Sequence, residues 1–274
     1  MTIVNTSAGA YLLAQFLDGQ VKLLVDNASA IHQSNELRVS RLYAIYAAII
    51  EDAISIRLLC ENGRTNQAYI VSRALLERVT NFCFLQLCTD AEFSDYVDYS
   101  LNKAGRSFDR SIEVNGQVKA RISLRGGDFT LPPEVCAAIA KFTSERGREK
   151  TRWTNVSLPD RAAVIEAKLG NTGLFMSLLA IYADASEALH GTLYGAVFHL
   201  GAYEALPPHD QASLDQHRYQ TLSALSLMAG ASIDTLFAVL ASLANSPFDA
   251  VSVSSKIAFK KSATATGLAV AKQK

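Results

Sequence analysis

Proline and glycine are scarce in this chain of 274 residues, which contains 6 Pro and 15 Gly. A fold of many short strands needs more turn residues, so this scarcity argues against a turn-dense β protein. Hydrophobic residues make up 49% of the sequence, in long Ala- and Leu-rich stretches that favour helix. The sequence therefore predicts an all-α fold, a single bundle of roughly eight to ten helices.

Cysteine is also scarce, and its spacing suits neither metal binding nor a disulfide framework. The four cysteines (60, 83, 88 and 136) lie in apolar helical surroundings, without a Cys-x-x-Cys or Cys/His pattern. We therefore predict buried free thiols and no metal site. A Gly-rich phosphate loop is missing, and we predict no cofactor. Asp18 and Gly19 interrupt the N-terminal pattern, so we expect no signal peptide and a reducing, cytoplasmic compartment.

Neither sign of charge is in excess. Residues 1–248 carry 21 basic and 25 acidic groups, whereas residues 249–274 carry five lysines and one aspartate. A mildly acidic body argues against broad phosphate binding, so any nucleic-acid contact would be local. The strongly apolar stretch 221–245 has Asp234 in its middle, which favours a buried core helix over a membrane span. We therefore predict no membrane partner.

No Pro/Gly/Ser-rich linker divides the first 245 residues, and we predict one helical domain over residues 1–248. Three helices should be central: the one that runs from about residue 35 to Cys60, the one of similar length that Thr65 opens, and the long final helix. Turn signals in residues 111–131 leave a short helix, a hairpin or a loop open there. Residues 249–274 have little apolar periodicity, which predicts a disordered basic tail.

Two polar islands interrupt the apolar helices. In the first, Arg73 and Glu77 are four residues apart and share one helix face, so they must pair or line a cavity. In one interpretation Arg73 binds an anion or a phosphate, and Glu77 either holds Arg73 in place or acts as a general base. In the other, the two residues satisfy each other and brace adjacent helices.

The second island repeats a polar group every four residues, placing Tyr182, Ser186 and His190 on one helix face. Gly191 and Thr192 follow. His190 is either a general acid/base or a helix-terminal residue that interacts with the last carbonyls. We take Arg73, Glu77 and His190 as candidate catalytic residues and Tyr182, Ser186 and Thr192 as candidate ligand-binding residues.

A charged loop lies between Glu145 and Trp153 and contains three arginines and a lysine. It could contact phosphate and stack a base on Trp153. The alternative is a solvated turn in which Trp153 anchors the loop to the bundle.

The sequences at residues 68–77 and 182–192 resemble motifs of a large group of bacterial proteins known only as a domain of unknown function. Its members have a similar Arg-(Ala/Ser)-Leu-(Leu/Phe)-Glu helix and a later Ser-x-x-x-His-(Gly/Ala)-(Ser/Thr) helix end. The resemblance covers about residues 35–245. It implies an all-helical fold and one site shared by the two islands.

The layout is also loosely similar to the HEPN superfamily, many of whose members are dimeric ribonucleases in toxin and phage-defence systems. Those enzymes usually carry an arginine followed about four to six residues later by a histidine. No histidine follows an arginine at that spacing here, so Arg73 and His190 would have to meet in the fold.

The functional hypothesis is that the two islands form an inter-helix pocket. This pocket would bind RNA or another phosphate-bearing ligand, or would cleave RNA without a metal ion, in a defence or stress system. A homodimer and a protein partner are the other candidate associations. The alternative is a non-catalytic interaction or scaffold protein whose Arg, Glu and His groups are structural.

Overall fold

A computed structural model describes residues 7–124, 130–170, 172–204, 206–244 and 246–266. The chain forms two compact units where the sequence predicted one domain. The larger unit comprises Met1–Leu87 and Leu158–Lys274, and the smaller comprises Cys88–Ser157. In the sequence, the smaller unit is inserted between two halves of the larger one. No Pro/Gly-rich linker marks the boundaries at residues 87–88 and 157–158, so the sequence does not indicate them.

The larger unit is all helical in its described part. Its helices are α1 (Ser7–His32), α2 (Leu37–Arg41), α3 (Tyr43–Glu61), α4 (Thr65–Leu87), α7 (Leu158–Leu169), α8 (Leu174–Ser177), α9 (Ala183–Leu189), α10 (Leu193–Val197), α11 (Gln211–Ala241) and α12 (Asp249–Thr266). A π-helical turn, Leu178–Tyr182, joins α8 to α9, and a 3₁₀ turn, Phe198–Leu200, follows α10.

Helices α4 and α11 are the centre of this unit. Helix α4 packs along α3 and α11, and α11 also packs on α1. Phe82 and Leu85 of α4 and Leu236 and Phe237 of α11 are fully buried. The prediction of an all-α fold with these helices at its centre is confirmed.

Helix α11 is long and apolar enough to cross a membrane by length and composition alone. Within the protein, however, 61% of its most apolar window is buried. It therefore has the packing of a core helix in the bundle.

The C-terminal segment differs from its prediction, because Asp249–Thr266 forms helix α12 instead of a disordered tail. Helix α12 packs against α1 and α11. Its contacts involve small residues, of which Ser252, Ser255 and Ala263 are buried. Small buried residues give no strong apolar periodicity, so the sequence pattern does not indicate helix α12. Residues 267–274 of the predicted tail lie outside the described residues.

The smaller unit begins with helix α5 (Asp90–Ser107) and continues through strands β1 (Asp109–Val114) and β2 (Gln117–Ser123) to helix α6 (Pro133–Lys141). A threonine three residues before a glutamate predicts a capping box, and Thr89 and Glu92 form one at the start of α5. Of the three possibilities for residues 111–131, the hairpin is the one observed, and Gly126 and Gly127 lie outside the described residues.

The cysteines are free thiols, as expected, but not all are buried. Cys60, Cys83 and Cys88 are buried, whereas Cys136 is exposed. Cys136 lies on α6 between the inward-facing Val135 and Ala138, so the short amphipathic helix turns it outward.

Candidate functional site

Arg73 is the centre of the first polar island. From the middle of α4 its Nε donates to Glu77 Oε1 at 3.0 Å, and its Nη2 donates to the Tyr182 hydroxyl at 3.2 Å. The guanidinium carbon lies 4.4 Å from the centroid of the Tyr182 ring. The side chain of Arg73 is 18% exposed and that of Glu77 is 39% exposed. The two islands therefore meet through Arg73 and Tyr182, at a place that solvent reaches on the Glu77 side.

The third nitrogen of this guanidinium has no acceptor. Nη1 of Arg73 is buried without a hydrogen-bond partner among the described residues. Burial lowers the pKa of Arg73, but the hydrogen bonds and charges of Glu77 and Tyr182 outweigh burial and raise it. The site thus holds a permanent cation with one nitrogen, Nη1, whose two N–H groups are unused. Asn66, two helical turns earlier on α4, likewise has a buried Oδ1 without a partner.

Tyr182 is positioned by an irregularity in its helix. It is the last residue of the π-helical turn between α8 and α9. Such turns insert one residue into an otherwise α-helical run, and they occur frequently at functional sites. Here the turn lies against α4, and α9 continues along α4. No motif in the sequence indicates the π-helical turn.

Ser186 and His190 do not join Arg73. Each four-residue step rotates the side-chain direction by about 40°, because a helix has 3.6 residues per turn. Ala185 marks the buried face of α9, Ser186 is half-buried, and His190 is exposed just beyond the helix end. Among the described residues, the hydrogen bonds of Arg73 go to Glu77 and Tyr182, and neither Ser186 nor His190 shares in them.

Thr192 caps a helix. Its hydroxyl accepts from the Gly195 backbone N–H at 3.0 Å, at the start of α10, and donates to the Glu187 carbonyl at 3.3 Å. Gly191 makes the turn before it at φ +68°. A Cβ added to Gly195 would lie 2.3 Å from the Glu187 carbonyl oxygen, so α10 can approach α9 this closely only with glycine there. The Thr192 hydroxyl is therefore used in joining the two helices.

Aromatic residues next to the site were not singled out from the sequence. Tyr194 donates to Asp184 at 2.9 Å and stacks on Tyr203, with centroids 4.9 Å apart. Tyr69, one turn before Arg73, meets Phe198 edge to face at 4.8 Å. Burial, with smaller contributions from Asp184 and Tyr194, raises the pKa of Tyr69 to about 12. These partners are distant in sequence, so no local spacing could have indicated them.

Two histidines without a predicted role also lie near each other. Burial, together with the charges of His217 and Arg218, lowers the pKa of His199. Nδ1 of His217 is 4.0 Å from a carboxylate oxygen of Glu204. In the part of the chain that the structure describes, no group of three or more His, Cys, Asp or Glu side chains is arranged to hold a metal ion.

The charged loop belongs to the smaller unit, where a cavity of about 440 Å³ lies beside it. Trp153 meets Tyr96 edge to face with centroids 5.1 Å apart, and the tryptophan thus anchors the loop. Lys141 at the cavity wall is held by Asp95 and Asp98 at 2.7 and 2.6 Å. The residues lining the cavity are Glu92, Asp95, Lys141, Phe142, Lys150, Arg152, Trp153, Thr154, Asn155 and Val156.

The fold and the site thus define a helical bundle with an Arg–Glu pair on its central helix. The chain belongs to the family of unknown function DUF5677, whose model matches residues 40–204. The match includes Arg73, Glu77 and the whole second island. The comparisons found no matching curated protein and no matching solved structure.

Proposed function

We propose that this protein binds a phosphate-bearing ligand, RNA or a nucleotide, through Arg73. The observation that carries the proposal is the buried Nη1 of Arg73, for which the described residues offer no acceptor although Nε and Nη2 both have one. Leaving a buried donor unpaired costs about 1–3 kcal/mol, and more for a charged group. A phosphate oxygen that displaced the groups covering Nη1 would remove that cost and form a charge-assisted hydrogen bond.

The neighbours of Arg73 suit this role. Glu77 holds the guanidinium through Nε, which orients the remaining nitrogens. The Tyr182 hydroxyl accepts from Nη2, so its own hydrogen is available to a ligand oxygen. Phosphate would thus meet one permanent cation and one neutral donor, beside the partly exposed carboxylate of Glu77.

Cleavage of RNA in a defence or stress system is the catalytic form of the proposal. It requires the His190 imidazole to come within hydrogen-bond distance of a ligand hydroxyl and to accept the proton of that hydroxyl. Glu77 and Ser186 would orient Arg73 and His190. His190 is exposed at the end of α9. The ligand itself would therefore have to bridge from Arg73 to His190, as an extended RNA chain could.

Binding to fluorescently labelled single-stranded RNA and to ATP tests the proposal. Arg73→Gln should weaken binding by about tenfold or more, since a charge-assisted hydrogen bond contributes about 1.5–3 kcal/mol. Arg57→Gln is the matched control, because Arg57 also pairs with a glutamate four residues later, Glu61, at 2.9 Å. Equal binding by the two variants, or none by the wild type, would refute the proposal. His190→Ala should abolish cleavage without weakening binding.

The second candidate is a non-catalytic scaffold or interaction protein. The observation favouring it is that Arg73 already links α4 to the π-helical turn through Glu77 and Tyr182. If this link is only a brace, Arg73→Gln should lower the unfolding midpoint and change no binding.

A further inference from the structure

The cavity of about 440 Å³ in the smaller unit lies among three segments of that unit. The start of α5 contributes Glu92 and Asp95 to its lining. The end of α6 contributes Lys141 and the adjacent Phe142, and the rest of the lining is the charged loop, residues 150 and 152–156. Pockets that bind small molecules have volumes of about 300–1,000 Å³. The cavity therefore has room for a small organic molecule.

The two carboxylates of the lining already have partners. One oxygen of Glu92 accepts from the Thr89 backbone N–H at 3.0 Å and from the Thr89 hydroxyl at 2.9 Å. The positive end of the α5 dipole stabilises the charge of Glu92 there. Asp95 pairs with Lys141 at 2.7 Å, and Asp98 pairs with the same ammonium at 2.6 Å. Neither the carboxylates nor Lys141 therefore lacks a partner.

Two basic side chains of the lining, in contrast, have no acidic partner among the described residues. The Lys150 ammonium donates to the Lys141 carbonyl oxygen at 3.1 Å, which leaves two of its three N–H groups unused. The exposed Arg152 makes no hydrogen bond or ion pair within the described part of the chain. Beside them the Thr154 hydroxyl accepts from the Val156 N–H at 3.1 Å and keeps its own hydrogen for a ligand. The unpartnered charges of the cavity are thus both positive, which favours an anion.

The charged loop is fixed to the rest of the smaller unit. The Tyr99 hydroxyl of α5 donates to the Thr151 carbonyl oxygen at 2.7 Å. The Lys150 backbone N–H donates to the Phe142 carbonyl oxygen at 2.8 Å. Trp153, which lines the cavity, packs its ring on α5. Because these contacts order the loop before a ligand arrives, binding there costs less entropy.

We propose that this cavity binds a small phosphate monoester that carries a planar ring, such as a nucleoside monophosphate. A phosphate monoester has a charge of about −1.5 to −2 at pH 7 and three acceptor oxygens, which match the two cations without an acidic partner, Lys150 and Arg152. Trp153 supplies an aromatic side chain of the kind on which bases stack. The lining does not include Arg73, so binding here does not require the function proposed above.

Trp153 is the only tryptophan of the chain, so its fluorescence reports ligand binding in this cavity. AMP added to the full chain should change the emission in a saturable manner. Adenosine, which has the same ring without the charge, should bind at least about tenfold more weakly. Inorganic phosphate, which has the charge without the ring, should also bind more weakly than AMP. Excitation at the red edge of the indole absorption band avoids absorption by adenine.

The double variant Lys150→Gln with Arg152→Gln should weaken AMP binding by about tenfold or more, because both unpartnered cations are removed. The matched control is Arg146→Gln with Arg148→Gln. It removes two exposed cations of the same loop that do not line the cavity, and it should bind AMP as the wild type does. Circular dichroism of each variant verifies that the helices are intact.

No saturable change in emission with AMP up to about 10 mM would overturn the inference. Equal binding of AMP and adenosine would mean that the cavity does not select the charge, and equal binding of AMP and phosphate would mean that it does not select the ring. Either result would overturn the inference. It would also fail if the Lys150, Arg152 variant bound AMP as tightly as the wild type. Equal weakening in both double variants would assign the effect to the charge of the whole loop, with the same consequence.

Discussion

Gln20 of α1 and Ser255 of α12, 235 residues apart in the sequence, exchange two hydrogen bonds in the core of the larger unit. The Ser255 hydroxyl donates to Gln20 Oε1 at 2.9 Å, and Gln20 Nε2 donates to the Ser255 carbonyl oxygen at 3.4 Å. Both residues are fully buried. The last described helix is thus tied to the first by polar groups that would be costly to leave unpaired.

Removing α12 should therefore destabilise the larger unit. A chain that ends at Phe248 loses the partners of Gln20 and exposes Phe16, whose ring centroid lies 5.9 Å from that of Phe259. We expect the free energy of unfolding to fall by about 3 kcal/mol or more. One unpaired buried group costs about 1–3 kcal/mol, and one exposed large apolar side chain costs a similar amount. Urea unfolding measures it. Equal midpoints for the truncated and the full chain would contradict the prediction.

Asp234 of α11 should make stability depend on pH. Burial raises the pKa of this aspartate, and the opposing effects of Ser255 and Lys256 do not cancel the increase. Between the ordinary pKa and the folded pKa, the folded protein therefore keeps a proton that the unfolded chain has released. The contribution of Asp234 to stability is greatest below the ordinary aspartate pKa of 3.8 and is lost as pH rises through the folded pKa.

Asp234→Asn should remove this dependence and stabilise the protein at pH 7 by about 1 kcal/mol, because the asparagine neither buries a charge nor has to take up a proton on folding. Urea midpoints at pH 7 and near pH 4 measure the effect. Glu149→Gln provides a control of opposite sign. Burial would raise the pKa of Glu149, but hydrogen bonds from Lys103 and Asn102 lower it. Its contribution to stability therefore grows as pH rises from the folded pKa to the ordinary value of 4.5 and is complete above that value. Parallel pH profiles of wild type and Asp234→Asn would contradict the prediction.

Local sequence patterns predicted the first island well. The four-residue spacing of Arg73 and Glu77 indicated a shared helix face, and their side chains are 3.0 Å apart. The Thr89 capping box likewise located the start of α5. Both features depend on residues within one helical turn, where spacing alone determines the geometry.

Features that depend on distant residues could not be predicted in this way. The contact of Arg73 with Tyr182 requires the π-helical turn, and the drift of the helix face carries His190 into solvent. The pairing of Gln20 with Ser255 uses small and polar residues, which an apolar pattern does not detect. The sequence therefore predicted the type of fold and one half of the site, but not how the second island meets the first.

Gly195→Ala should disturb the junction of α9 and α10. The new Cβ would lie 2.3 Å from the Glu187 carbonyl oxygen, a backbone atom that cannot rotate away. We expect the free energy of unfolding to fall by about 1–3 kcal/mol, as it does when a core is overpacked. The matched control is Gly19→Ala within α1, where nothing lies within 4 Å of the new Cβ. It should gain about 0.5–1 kcal/mol from helix propensity. Urea unfolding that moves both midpoints in the same direction would contradict the prediction.

The contact between Arg73 and Tyr182 should contribute to stability in two separable parts. Tyr182→Phe removes the hydroxyl that accepts from Nη2 but keeps the ring 4.4 Å from the guanidinium carbon, so we expect a loss of about 1 kcal/mol. Tyr182→Leu also removes the ring face and should lose about 0.5–2 kcal/mol more.

A double-mutant cycle of these changes with Arg73→Met, measured by urea unfolding, isolates the coupling of the pair from effects on either residue alone. His190→Ala is the control and should stay within about 0.5 kcal/mol of the wild type, because the exposed imidazole is not in the Arg73 hydrogen bonds. If the coupling energy were near zero, Arg73 and Tyr182 would be neighbours without mutual stabilisation. Helix α4 would then be held to the π-helical turn by its apolar contacts alone.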